Sequence, residues 1–98
     1  MAAATEELVE ILEAAKRLLS IPKNDFSWSS WASAADAIRE LDVQIAAINA
    51  GKPPPRSDLA VLFAPTGQIQ EVSLSSGWAD DFLSLAARFD AAEQRFYA

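Results

Sequence analysis

Cysteine and histidine are both absent from this chain of 98 residues. Without cysteine there are no disulfides, no thiolate zinc sites and no thiol nucleophile. Without histidine the commonest general base and the commonest neutral metal ligand are missing. The serines have no imidazole to activate them and none sits in a GxSxG turn, which excludes a serine hydrolase of the usual kind. Glycine occurs at only three well-separated positions, Gly51, Gly67 and Gly77, so there is no glycine-rich phosphate loop. No apolar run approaches the roughly 18 residues of a membrane span. The opening MAAATEELVEIL lacks a basic start and a long apolar core, so it does not read as a signal peptide. The expectation is a cytoplasmic protein without a membrane segment, a bound metal or a cofactor.

Basic residues are also scarce: 8 Lys and Arg against 14 Asp and Glu give a net charge of −6. Such a surface repels phosphate backbones and disfavours nucleic acid, and it suits a basic protein partner. Catalysis would have to rest on carboxylates, Tyr97 or a lysine alone, so a non-enzymatic protein is expected. The length fits one domain over 1–98. Much of the 51% hydrophobic fraction is alanine, which buries little area. The core must therefore depend on a few large side chains, each worth about 1.5–3 kcal/mol when fully buried.

What is present reads first as helices. Leu8, Ile11, Leu12, Ala15, Leu18 and Leu19 recur at helical spacing and predict an amphipathic helix over Thr5–Ser20, ended by Pro22. Asp25 or Ser27 is read as the cap of a second helix, Trp28–Ala50, with Trp28, Trp31, Ile38, Leu41, Ile45 and Ile48 on its apolar side. Gly51 closes it in the left-handed conformation, and Pro53, Pro54 and Pro55 prevent its continuation. Lys52–Ser57 reads as an extended connector rather than a PxxP ligand. The final helix spans Trp78–Tyr97, with Trp78, Phe82, Leu85, Phe89, Ala92 and Phe96 repeating at spacings of four and three. Asp80 and Asp81 lie in its first turn, where they complement the helix dipole.

Between these helices, Asp58–Ala64 is short, apolar and rich in branched residues, and Gln68–Leu74 follows after Ala64-Pro65-Thr66-Gly67. Proline followed two residues later by glycine is the signature of a hairpin loop with a bulge. The segments are accordingly read as two antiparallel strands. The fold class is α+β in the order α-α-β-β-α: a two-helix antiparallel hairpin and a C-terminal helix packed on a two-stranded β-hairpin. One irregularity stands out. Ile69 would point to one face of its strand while Val72 and Leu74 point to the other, which a bulge near Gln70-Glu71 would reconcile. Leu59, Val61 and Phe63 would make an apolar face needing cover, and an isolated hairpin has exposed edges. Either helices flank both faces, or hairpins of two subunits join into a four-stranded sheet. Exposed edges favour the second arrangement, a homodimer whose interface holds Leu59, Val61, Phe63, Ile69 and Val72.

Two functional classes follow. The first is an acidic, regulatory or immunity-type binder acting through protein–protein contact. Trp28 and Trp31 are its candidate partner anchors, weighed against plain core packing. The carboxylates Glu6, Glu10 and Glu13, together with Asp36 and Glu40, form acidic faces that are either solvated or partner-facing. The second is a small-molecule-binding or catalytic module. Its pocket would lie between the last helix and the hairpin, floored by Trp78 and Phe82, with Asp80, Asp81 or Glu71 converging on it.

Overall fold

Leu8, Ile11, Leu12, Ala15 and Leu19 fall on one stripe of the first helix, and all five are fully buried. In the computed structural model, which describes residues 2–65 and 67–98, that helix is the centre of the molecule. It is α1, Ala2–Leu19, followed by α2 (Ala34–Asn49), α3 (Arg56–Ala60), a 3-10 turn (Val61–Phe63), α4 (Gln68–Ser76) and α5 (Ala79–Phe96). Both long helices α2 and α5 pack on α1, and α4 packs on α5 and on the 3-10 turn. Lys16 on α1 meets Asp42 on α2. Arg95 and Arg88 on α5 meet Glu7 and Glu10 on α1. The two pairings between α5 and α1 run in opposite senses along the helices, which makes α5 antiparallel to α1.

No strand occurs among the described residues, so the fold is all-helical and the α+β expectation is corrected. The segment read as a β-hairpin is α3, the 3-10 turn and α4. Its apolar residues have helical spacing: Leu59, Leu62 and Phe63 at i, i+3, i+4, then Ile69 and Val72 at i, i+3. All five are buried. The parity break between Ile69 and Val72, which a strand needs a bulge to absorb, is ordinary on a helix. Phe63 stacks on Phe89 of α5, with ring centroids 4.2 Å apart and planes 13° from parallel. Short helices close their hydrogen bonds internally and leave no strand edge to cover. The four-stranded sheet shared by two subunits has no basis once the strands are gone.

The turn itself survives in another role. The Gly67 N–H donates to the Ala64 carbonyl at 2.8 Å; Thr66, the central residue of the predicted loop with Pro65, lies outside the described residues. Gly67 is not left-handed. It has φ −79° and ψ 176° and serves as the N-cap of α4. Its lack of a side chain matters for space, since a Cβ there would lie 2.4 Å from the Val61 carbonyl oxygen. Backbone passes against backbone at this corner.

Helices α2 and α4 both stop at glycines with positive φ, 77° at Gly51 and 86° at Gly77. After α2, Lys52 N–H reaches the Ala47 carbonyl at 2.9 Å and Gly51 N–H the Ile48 carbonyl at 3.1 Å, the paired bonds of a Schellman ending. The proline connector is anchored by the C-terminal helix: Tyr97 donates its hydroxyl to the Pro54 carbonyl at 2.8 Å, and Arg56 pairs with the buried Glu93 at 3.3 Å. Among the described residues no helix is long and apolar enough to cross a membrane.

Candidate functional site

The second helix starts at Ala34, six residues later than the predicted Trp28, and the difference creates the most distinctive surface of the protein. The residues from Ser20 to Ser33 form a loop at the end of the bundle where α1 stops and α2 and α5 begin. Its serines and its aspartate explain why. The Asp25 carboxylate accepts from the Ser27 N–H at 2.8 Å, and the Ser29 hydroxyl oxygen accepts from the Trp31 N–H at 3.0 Å. Such local side-chain bonds compete with helical ones and hold the backbone in turns. Asp25 is therefore the pivot of an Asx turn rather than a helix cap. Hydrogen bonds from Ser27, hydroxyl first and N–H second, keep its carboxyl below the usual carboxylate range.

The Ser29 N–H donates to the Phe26 carbonyl at 3.0 Å, which closes a tight turn with Ser27 and Trp28 at its tip. The two tryptophans consequently part company instead of sharing a helical face. Trp28 stands out with 73% of its surface exposed, whereas Trp31 turns inward at 5%. Trp31 fixes the loop to α2 through its indole N–H, which donates to Glu40 Oε1 at 3.0 Å.

The other root of the loop is fixed to the opposite side of the bundle. Asn24 donates through Nδ2 to the Leu18 carbonyl at 2.8 Å, capping α1. It accepts from the Trp78 indole N–H, also at 2.8 Å. The Asp25 N–H donates to Ser76 Oγ at 2.9 Å, and Ser30 Oγ donates to Gln68 Oε1 at 2.5 Å. Every root of this loop is thus held by α2, α4 or the start of α5. Behind the exposed tip lies an open cleft of about 630 Å³, with Ile21, Asn24, Phe26 and Trp31 among its walls. Asp80 and Asp81, exposed in the first turn of α5, share this end of the molecule through the Trp78–Asn24 contact.

The remaining predicted residues are elsewhere. Leu59, Phe63, Ile69 and Val72 are buried in the chain's own core, and of the five assigned to a subunit interface only Val61 is exposed. A cavity of about 220 Å³ does lie between α5 and the α3–α4 segment, with Phe82 and Phe89 in its wall. The carboxylates nearest to it are Asp90 and Glu93, and Glu93 is engaged by Arg56. Asp80 and Asp81 line a separate, shallow surface beside Trp78. No three carboxylates among the described residues come together as a metal-holding group. The acidic stripe of α1 is partly neutralised, since Glu10 and Glu13 pair with Arg88 and Lys16.

Sequence reasoning singles out Trp28 and Trp31 but not Asn24, Ser76 or Gln68, which hold the loop that separates them. The signal is present in Asp25-Phe26-Ser27, an Asx-turn sequence, and in the run of serines that weakens helix initiation at Trp28. Compared with protein-family models, with curated proteins and with solved structures, the chain matches none.

Proposed function

We propose that this chain is a non-catalytic interaction module, which grips a basic protein partner with the Ser20–Ser33 loop and uses Trp28 as its anchor. The observation that carries this reading is the 73% exposure of Trp28 on a loop whose roots are all tied down. A large aromatic left in water has an unfavourable hydration cost that binding would relieve, and tryptophan is among the residues richest in binding energy at interfaces. A loop already held in one conformation loses little entropy when it binds. The open cleft beside the tip offers room for a partner side chain between Ile21 and Phe26. Asp25 shares the loop with Lys23, Asp80 and Asp81 lie beside Trp78, and the whole chain carries −6, so the net field would steer a basic surface towards the protein.

The experiment is a paired affinity capture from native cell extract, with the wild-type chain and Trp28→Ala on the beads. Circular dichroism first establishes that both are equally helical. A basic protein held by the wild type, released as salt rises and lost with Trp28→Ala, supports the reading. Equal retention by the two chains, or retention that salt does not weaken, overturns it.

A further inference from the structure

The face that α5 turns to α3 and α4 is bulky except at one position. Phe82, Ala86, Phe89 and Glu93 follow one another at spacings of four, three and four, so they form one stripe of the helix. Ala86 is its small member, and two more alanines, Ala60 and Ala64, line the same space from the other side. With these three small side chains among the rings of Phe63, Phe82 and Phe89, a cavity of about 220 Å³ is left. It is more enclosed than the cleft behind Trp28. Protein interiors keep few voids larger than a water molecule, so a gap of this size is unusual. Water is a poor occupant of its floor, because a held water needs two to four polar partners and the three rings supply none. An apolar cavity of about 150 Å³ already accommodates benzene, so a single aromatic ring fits here.

The polar groups around the cavity set the charge of what enters. Glu93 is buried and has both carboxylate oxygens on Arg56, Oε1 at 3.4 Å and Oε2 at 3.3 Å. That pair is neutral as a unit. Asp90 also lines the cavity but is exposed, and it takes part in none of the ion pairs found among the described residues. We propose that the cavity binds a small aromatic amine. Its one ring would lie among Phe63, Phe82 and Phe89, and a primary ammonium on a short arm would meet the Asp90 carboxylate. Rings at centroid separations of about 4.5–7 Å attract one another beyond the area they bury. The free carboxylate and the net charge of −6 both select a cationic head over an anionic one. The site is separate from the Trp28 loop and does not depend on its role.

Nuclear magnetic resonance titration of the full chain at pH 7 tests this, with 2-phenylethylamine as the probe. Phenylethanol, 3-phenylpropionate and methylammonium serve as its neutral, anionic and ringless counterparts. The amine should give saturable shifts confined to Phe63, Phe82, Phe89, Asp90 and their neighbours, with a Kd of about 1–10 mM. Phenylethanol should bind more weakly at the same residues, and 3-phenylpropionate more weakly still. Asp90→Asn should weaken the amine by about two- to fivefold and leave phenylethanol unchanged. Ala86→Leu places a good helix former in the gap and should abolish binding of both, with helix content retained by circular dichroism. If that variant does not fold, Asp90→Asn decides, since its side chain is exposed. No saturable shift at the cavity residues up to about 30 mM amine overturns the proposal. Equal binding of 3-phenylpropionate, the same shifts with methylammonium, an Asp90→Asn variant that binds the amine as well as wild type does, or binding that survives in folded Ala86→Leu overturns it equally.

Discussion

The indole N–H of Trp78 donates to the side-chain oxygen of Asn24 at 2.8 Å, joining residues 54 positions apart. Trp78 is buried, and Asn24 also caps α1 through Leu18. One amide therefore closes the end of the first helix, supports the start of the last and roots the loop. Asn24→Ala should lower stability by about 1–3 kcal/mol, because it strands a buried indole donor and a helix-end carbonyl. Urea unfolding measures this, and amide exchange at Ser27–Trp31 should quicken more than exchange in α2. Uniform acceleration over the whole chain would mean that Asn24 supports global stability and does not specifically root the loop.

Gly67 and Gly77 should respond oppositely to asparagine. Gly77 has φ 86° with open space around it, and asparagine tolerates that left-handed conformation, so Gly77→Asn should cost under about 1 kcal/mol. Gly67 has an ordinary φ, but any Cβ there meets the Val61 carbonyl oxygen at 2.4 Å. Gly67→Asn should cost about 1–3 kcal/mol by forcing the corner apart. A bulged hairpin with Gly67 left-handed would accept asparagine there, so the order of the two melting temperatures separates the folds.

Tyr97 is the one tyrosine of the chain, which makes its phenol easy to follow by absorbance. Burial, with a smaller contribution from the Glu93 carboxylate, raises its pKa above the usual 10.0. A group whose neutral form is favoured by folding supports stability below its unfolded pKa and loses that support as pH rises through the folded value. Tyr97→Phe should cost about 0.5–1.5 kcal/mol at neutral pH by removing the bond to Pro54. The stability gap between wild type and Tyr97→Phe should close only in strong alkali, and a gap that closes near neutrality would contradict the burial of the phenol.

Asp25 gives the corresponding acid-side behaviour. Its carboxyl is held low by Ser27, so the Asx turn contributes fully above the ordinary aspartate pKa of 3.8 and is lost as pH falls through the lower folded value. The Ser27 amide resonance should therefore keep its native position well into acid and move only below the usual carboxylate titration. Asp25→Ala should remove that transition and make Trp28 fluorescence insensitive to pH over the same interval.

The long helices are legible because their patterns run for several turns. In α5 the alternation from Phe82 through Leu85, Phe89 and Ala92 admits no other reading, and all four are buried. The region Asp58–Leu74 is not legible for a definite reason. A short apolar run such as Leu59–Phe63 fits a buried strand or a helix of one turn equally well, and β-branched Val61, Ile69 and Val72 tip propensity towards the strand. Packing against Phe89 and the rest of α5 decides for helix. The spacing of Ile69 and Val72 is the contrary signal, since a change of period accounts for it without any bulge. At the site, residue types identify the tryptophans, but which indole faces water depends on long-range bonds from Asn24, Asp25 and Ser30 that no local pattern encodes.

The pairing of Glu7 with Arg95 has a practical consequence for handling the molecule. Because α1 and α5 are antiparallel, the first turns of one and the last turns of the other emerge together. The Trp28 loop sits at the far end of α1, a dozen residues and so about 18 Å away. A dye or tether joined in the first turns of α1 or the last turn of α5 stands clear of the exposed indole, and two labels placed one on each of these turns report on the same pole. Protein immobilised through either of these helix turns therefore presents the loop outward.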